Sequence, residues 1–327
     1  MTMKINSKWT AERVPSQTGR RVLITGANSG IGYEAALELA RKGAELVLPA
    51  RTLEKANGAA KRIVHTVPSA RIVPAVLDLA SQSSVRQFAG WFSTHYGGPS
   101  LDLLINNAGV MAVPTREITE DGFERQFATN FLGPFALTAL LYPHLRQQPG
   151  TRVVIVSSSV TNWAKLDFAN LQSERRYKPM EQAYGQSKLA DSLFAVELQR
   201  RLSDAGSPVV VTAAHPGYAI TNLQTSGPGD GLSVFRVAGA MLKPIASQNA
   251  HQGALPTLFA ATAPQAEPGG YYGPDGLFEL KGFPTTVKIP ARAQDPETAR
   301  RLWGEAERLT GVTFDLSRYV TTMTITQ

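Results

Sequence analysis

Apolar residues along this chain of 327 residues fall into short unbroken runs separated by longer stretches in which they recur every three or four positions. The unbroken runs are Arg21–Thr25, Glu45–Ala50, Arg71–Leu77, Leu101–Asn106, Arg152–Ser157 and Val209–His215. Each has the length and continuous apolarity of a parallel strand buried on both faces. The stretches between them carry helical periodicity, so strand and helix alternate. That alternation predicts an α/β fold built on a doubly wound, mostly parallel sheet. No Gly/Ser-rich or Pro-rich linker and no internal repeat breaks the pattern, which implies one domain across residues 1–327. A last strand and turn are expected around Tyr271–Pro274, and a closing helix at Pro296–Leu309.

The first strand runs directly into Thr25-Gly26-Ala27-Asn28-Ser29-Gly30-Ile31-Gly32, and an amphipathic segment then leads to the second strand. Such a βαβ unit suits a dinucleotide. Gly26 permits the tight bend, Gly30 lets backbone approach a pyrophosphate, and Gly32 lets the helix pack closely on the strand. Asn28, Ser29 and Ile31 complete the turn, whose free N–H groups would face the anion at the helix N-terminus. At the tip of the second strand, an acidic residue would bond the ribose 2′-hydroxyl of NAD. Here Ala50 is followed by Arg51, whose guanidinium suits a 2′-phosphate. The expected cofactor is therefore NADP(H) rather than NAD(H); the alternative for Arg51 is a surface residue opening the next helix.

Further along lie Asn106-Asn107-Ala108-Gly109, Asn130-Phe131-Leu132-Gly133-Pro134, Ser157-Ser158-Ser159 at a strand end, and Tyr184-Gly185-Gln186-Ser187-Lys188. Each is ordinary alone. In this order, after the Gly-x3-Gly-x-Gly turn, they make the chain resemble the short-chain dehydrogenase/reductase family over roughly residues 20–262. The wording of the glycine turn, the Ala50-Arg51 pair, the long Ser-to-Tyr segment and the ending Ala299-Arg300-Arg301-Leu302-Trp303 look most like the retinol dehydrogenase group.

The resemblance implies a single-domain Rossmann-like fold and an oxidoreductase that interconverts a carbonyl compound and its alcohol. Tyr184 would be the proton donor and acceptor. A free phenol has a pKa near 10, and an ammonium one helical turn on, at Lys188, favours its ionised form. Lys188 would also bond the nicotinamide ribose. Ser158, second of the serine pair, would stabilise the substrate oxygen, with Ser159 as runner-up; strand alternation turns Ser157 to the other side. Pro134 has no N–H to give the Asn130 carbonyl four residues back, and in relatives the matching carbonyl holds a water linked to the lysine. The resemblance also assigns Asp78 and Leu79 to the adenine, and Asn107, Ala108 and Gly109 to the ribose. Pro216 and Gly217 would lie on the nicotinamide, and Thr221 would bond its carboxamide or the diphosphate.

Two segments are expected to surround the substrate: the insertion at 159–183 and a lid at 221–242, followed by a C-terminal segment at 270–327. Their large side chains (Trp163, Phe168, Phe235, Met241, Leu242) have no evident place in the sheet core, and an apolar substrate follows as an expectation.

Composition narrows the alternatives. The chain has no cysteine, so disulfides and thiolate chemistry are excluded. Its histidines (His65, His95, His144, His215, His251) show no metal spacing, and no metal is expected. The net charge of +7 is spread over isolated arginine pairs, without the aromatic interleaving of a nucleic-acid surface. The polar N-terminus, residues 1–17, lacks the apolar core of a signal peptide or anchor, and Phe131–Leu145, broken by two prolines, is too short to span a bilayer. A cytoplasmic enzyme acting on a small molecule, with its oligomeric state open, is the resulting expectation. The competing reading is a non-catalytic NADP-binding regulator or scaffold of the same fold; intact Asn130, Ser158, Tyr184 and Lys188 argue against it.

Overall fold

The apolar runs fold as strands of one sheet. The structure, a computed structural model, describes residues 8–218 and 248–316. Its strands are β1 (Arg21–Ile24), β2 (Glu45–Ala50), β3 (Arg71–Val76), β4 (Leu103–Asn106), β5 (Arg152–Val156), β6 (Val210–Ala214), β7 (Tyr271–Pro274) and β8 (Pro284–Thr286). They lie in the order β3-β2-β1-β4-β5-β6-β7-β8. Strands β1 to β7 pair in parallel, and β8 returns antiparallel on β7, with Tyr272 opposite Thr286. The six expected strands are all present, each a residue or two shorter than its apolar run except β2. Strand β8 has no counterpart among the apolar runs, because a three-residue edge strand reading Pro-Thr-Thr carries no such pattern.

The helices are α1 (Gly30–Arg41), α2 (Leu53–Thr66), α3 (Gln82–Tyr96), α4 (Gly133–Leu141), α5 (Gly185–Asp204), α6 (Ala250–Thr262) and α7 (Pro296–Thr310). They cover both faces of the sheet. On one face α1 and α6 bury Leu39, Leu258 and Phe259, and Trp9 meets the Phe259 ring edge-on at 5.4 Å. On the other, α3, α4, α5 and α7 gather Phe92, Phe135, Phe194 and Trp303, with the Phe135 and Trp303 rings 5.2 Å apart. Burial on both faces explains why the central strands carry no polar alternation.

Strand order reverses at β1: the chain moves outward to β2 and β3, then crosses back to β4 on β1's other side. The crevice between the C-terminal ends of β1 and β4 is where ligands of such sheets bind. Thr25 ties the two strand ends together. Its hydroxyl accepts from the Asn107 and Ala108 N–H groups at 3.0 Å each, and its carbonyl accepts from the Asn107 side chain at 2.8 Å.

The approach to α4 contains a local distortion. Residues Ala128–Leu132 form a π-helical turn, in which the Gly133 N–H donates to the Ala128 carbonyl five residues back. The chain thus widens around Pro134 instead of kinking. Gly133 is required there because a Cβ on it would lie 2.2 Å from the Leu79 carbonyl oxygen. We predict that Gly133→Ala lowers folding stability by about 3 kcal/mol, the upper range for overpacking. Gly90→Ala, in open space on the outer face of α3, should raise stability by about 0.5–1 kcal/mol. Thermal or urea melts of the two variants test the contrast, and equal effects would contradict it.

Candidate functional site

The turn between β1 and α1 has the shape of an anion cradle. Gly26 sits at φ +71° and Gly30 at φ +59°, conformations that side-chain-bearing residues rarely adopt. A Cβ on Gly26 would approach the Ala108 Cα to 2.8 Å, and one on Gly32 would meet the Asn107 amide at 2.4 Å. Gly32 is thus needed for the Asn107 side chain as much as for helix packing. The helix ends differ in a way that bears on ligand binding. Thr52, Ser81, Asn249 and Asp295 each cap the helix they precede by accepting a backbone N–H through the side chain, at α2, α3, α6 and α7 respectively. Ser29, at the start of α1, makes no such bond. Its helix dipole and first N–H groups are left without a side-chain cap, beside a turn stripped of side chains. Those are the features a pyrophosphate requires, so the residues present fit a dinucleotide.

Around this cradle, Arg51 stands exposed at the end of β2. A second cation not found from sequence lies close by: Arg62, from the second half of α2, donates to the Asn28 carbonyl at 2.6 Å and lies over the Tyr33 ring. No sequence signal links positions 28 and 62, because only the packing of α2 brings them together. The Asp78 carboxylate accepts from the Ala80 N–H at 2.9 Å, and Leu79 is buried against Gly133. Past β6, the Pro216 carbonyl accepts from the Gln248 side chain, and Gly217, at φ +65°, lies where a Cβ would strike the Leu280 carbonyl. Thr221 and the expected lid at 221–242, with Phe235, Met241 and Leu242, lie outside the described residues.

The remaining candidates converge at the ends of β4 and β5. Ser157 points into the protein, where its hydroxyl donates to the Lys188 carbonyl and pairs with Ser192. Ser158 faces the other way and opens a 3₁₀ turn, its hydroxyl only 3.4 Å from the Val160 N–H. Alternation along the strand therefore separates the two serines as expected. Tyr184 ends a second π-helical turn, Pro179–Tyr184, that leads into α5. Lys188, one turn on, is buried; its ammonium donates to the Val156 carbonyl and to Asp191, both at 2.9 Å. The same ammonium lies 3.6 Å from where a Cβ on Gly109 would be, and the Asn130 carboxamide lies 3.1 Å from that point.

Asn130 contributes more than its carbonyl. Its side chain accepts from the Val110 N–H at 2.7 Å, donates to the Val110 carbonyl at 3.0 Å, and donates to Ser187 at 2.8 Å. It thus clamps the loop after β4 to α5. Burial by itself lowers the Lys188 pKa, but the charge of Asp191, the phenol of Tyr184 and the Asp191 hydrogen bond outweigh it and raise it. Asp191, also buried, is pushed up to about 6 by that burial, against the pull of Lys188. Asp191 was missed from sequence, although its spacing of three from Lys188 places both on one helix face.

The insertion is packed rather than free. Gln186, inside the Tyr-to-Lys motif, accepts from the Asp167 N–H and donates to the Leu171 carbonyl. Arg292 donates to the Trp163 and Ala164 carbonyls. Phe168, expected to face a substrate, instead packs on the core with the Arg301 guanidinium 4.0 Å over its ring. An i-to-i+133 contact of this kind has no local signature. Trp163 remains half-exposed.

Among the described residues, no group of acidic or histidine side chains could hold a metal, and no helix is long and apolar enough to cross a membrane.

The family of short chain dehydrogenases matches residues 20–228. Human retinol dehydrogenase 13 is 41% identical over 299 residues, covering 90% of this chain and 85% of its own length. A mouse polyprenol dehydrogenase is 41% identical over 303 residues, covering 91% and 86%. Among solved structures, an uncharacterized protein from Mycobacterium paratuberculosis is 40% identical and covers 94% of this chain and 100% of its own, with a TM-score of 0.76. By its fold, its family match and these relatives, the chain belongs to the short-chain dehydrogenase/reductase family of oxidoreductases, in its retinol dehydrogenase-like group.

Proposed function

We propose that this protein is an NADP(H)-dependent enzyme interconverting an apolar ketone or aldehyde and its alcohol, with Tyr184 as proton donor and acceptor. The observation that carries the proposal is the convergence of the buried Lys188 ammonium and the Asn130 carboxamide on Gly109, one helical turn from Tyr184. When bound, the nicotinamide supplies or accepts the hydride. Gly26, Asn28, Ser29, Gly30, Ile31 and Gly32 would hold the pyrophosphate at the uncapped start of α1. Arg51 would take the 2′-phosphate, with Asp78 and Leu79 beside the adenine. Asn107, Ala108 and Gly109 would line the ribose, and Pro216 and Gly217 the nicotinamide.

The chain's own chemistry then concerns the proton and the developing charge. Reduction places negative charge on the carbonyl oxygen. The Ser158 hydroxyl, weakly engaged in the fold, is available to donate to it. Tyr184 gives that oxygen its proton, and the Lys188 ammonium stabilises the phenolate left behind. In the other direction the phenolate takes the alcohol proton. The apolar character of the substrate is supported by the half-exposed Trp163 beyond Ser158, and by relatives named for retinol and polyprenol.

Incubation with NADPH and a panel of ketones and aldehydes, from small polar to long-chain isoprenoid, read by NADPH absorbance, tests the activity. Tyr184→Phe should lower kcat by about a thousandfold, within the range for general acid catalysis, while NADPH affinity changes less than about twofold, a contact loss well below one hydrogen bond. A variant with near-parental kcat would refute the mechanism. Lys188→Ala should reduce both turnover and NADPH affinity, since one ammonium serves both.

Cofactor choice is tested separately. Arg51→Ala should weaken NADPH binding by about tenfold or more, the size of one charge-assisted contact, and leave NADH nearly unchanged. Fluorescence titration with both cofactors decides it: equal loss for the two, or a parent that prefers NADH, would rule out the assignment.

A further inference from the structure

We propose that Asp191 is a positioning residue for Lys188: it fixes the ammonium between β5 and Gly109, and its negative charge sets how strongly that ammonium acts on Tyr184. The inference rests on the oxidoreductase reading of the site.

A lysine ammonium has three N–H donors. Two are committed here, to the Val156 carbonyl and to the Asp191 carboxylate, each at 2.9 Å. The third is left for the crevice side, where Gly109 comes near. Lys188 therefore does not need to leave Asp191 in order to reach a ligand in the crevice. The carboxylate works against its own solvation to provide this. Asp191 is 2% exposed, and its second oxygen, Oδ1, has no hydrogen-bond partner. A neutral asparagine would supply the same acceptor to Lys188. What the aspartate adds is the charge.

That charge has a consequence for the proton chemistry. An ammonium paired with a carboxylate presents less net positive charge to its surroundings than a lone one. The other groups near the pair leave this balance to Asp191. From the segment before α4 come the neutral Asn130 and, bonded to it, Ser187 of α5. From β5 come the Val156 carbonyl and Ser157. From β7 comes Tyr271, whose phenol is held protonated by burial. Farther out, the His215 ring lies 5.4 Å from that of Tyr271 and is bonded to Glu279 at 2.9 Å.

The test compares the parent with Asp191→Asn. Alcohol oxidation requires the Tyr184 phenolate, so kcat/KM rises with pH. Removing that negative charge favours the phenolate, and the rise should move to lower pH by about one unit, as for one charge seven helical residues, roughly 10 Å, away at an effective dielectric of ~20. Carbonyl reduction requires the protonated phenol, so its fall at high pH should move down by the same amount. The parent and variant profiles should converge below about pH 6, where Asp191 itself takes up a proton. NADPH affinity, read by fluorescence, should change less than about threefold, since the acceptor for Lys188 is kept.

A readout free of turnover accompanies this. Tyrosinate absorbance titrated in the presence of NADP+, with the matching Tyr184→Phe protein subtracted, should show the same displacement. Superimposable profiles and titrations in parent and Asp191→Asn would overturn the proposal. If Asp191→Asn does not fold, Asp191→Ser carries the same test; failure of both to fold would make the residue purely structural and also overturn it. If Tyr184→Phe keeps parental turnover, the oxidoreductase mechanism itself falls. If Tyr184→Phe is inactive and the Asp191 variants show no shift, only the present inference falls.

Discussion

The site is organised around a buried ammonium. Taking a lysine charge out of water is costly unless its donors are met by well-placed acceptors. Lys188 meets that demand with the last carbonyl of β5 and the Asp191 carboxylate. Both partners come from rigid elements, so the nitrogen cannot drift. The neighbouring pieces are secured in turn: Ser157 holds the start of α5 through the Lys188 carbonyl, and Asn130 holds the loop after β4 against Ser187.

A second constraint acts at the opposite side of the crevice, where the structure removes side chains instead of adding them. Gly26 and Gly32 lie so near Ala108 and Asn107 that even a methyl group would collide. Thr25 and Asn107 supply the polar pairs that hold the two loops at this distance. What results is exposed backbone at the start of α1, uncapped by Ser29 and ready for an anion. One side of the crevice thus offers free N–H groups and the other a fixed cation. Both lie at the crevice where the strand order reverses.

The periphery is tied to this centre by long-range contacts. Gln186, within the Tyr184–Lys188 motif, holds the insertion through Asp167 and Leu171. Arg292 and Arg301, near and on the closing helix, hold the same insertion from the outside. The loop between β7 and β8 supports the segment after β6, where the Leu280 carbonyl accepts the Tyr218 N–H at 2.7 Å. The C-terminal segment is therefore part of the frame of the site and no appendage.

Local sequence patterns were enough to read the alternation of strands and helices, the positions of β1 to β7, the glycine turn and the separation of Ser157 from Ser158. These depend on local patterns: continuous apolar runs, fixed glycine spacing and the two-residue period of a strand. It also showed that Pro134 disturbs the helix at Asn130, although the form of the disturbance, a π-helical turn, was set by the packing of Gly133 on Leu79. Long-range packing set the rest. Arg62 reaches the turn at Asn28 only because α2 packs beside it, Phe168 packs on the core beneath Arg301, and β8 exists only as a partner for β7. Asp191 stands between these cases. Its helical spacing from Lys188 was legible, but its meaning was not, because a carboxylate three residues from a lysine is an ordinary surface pair until burial strips both of water.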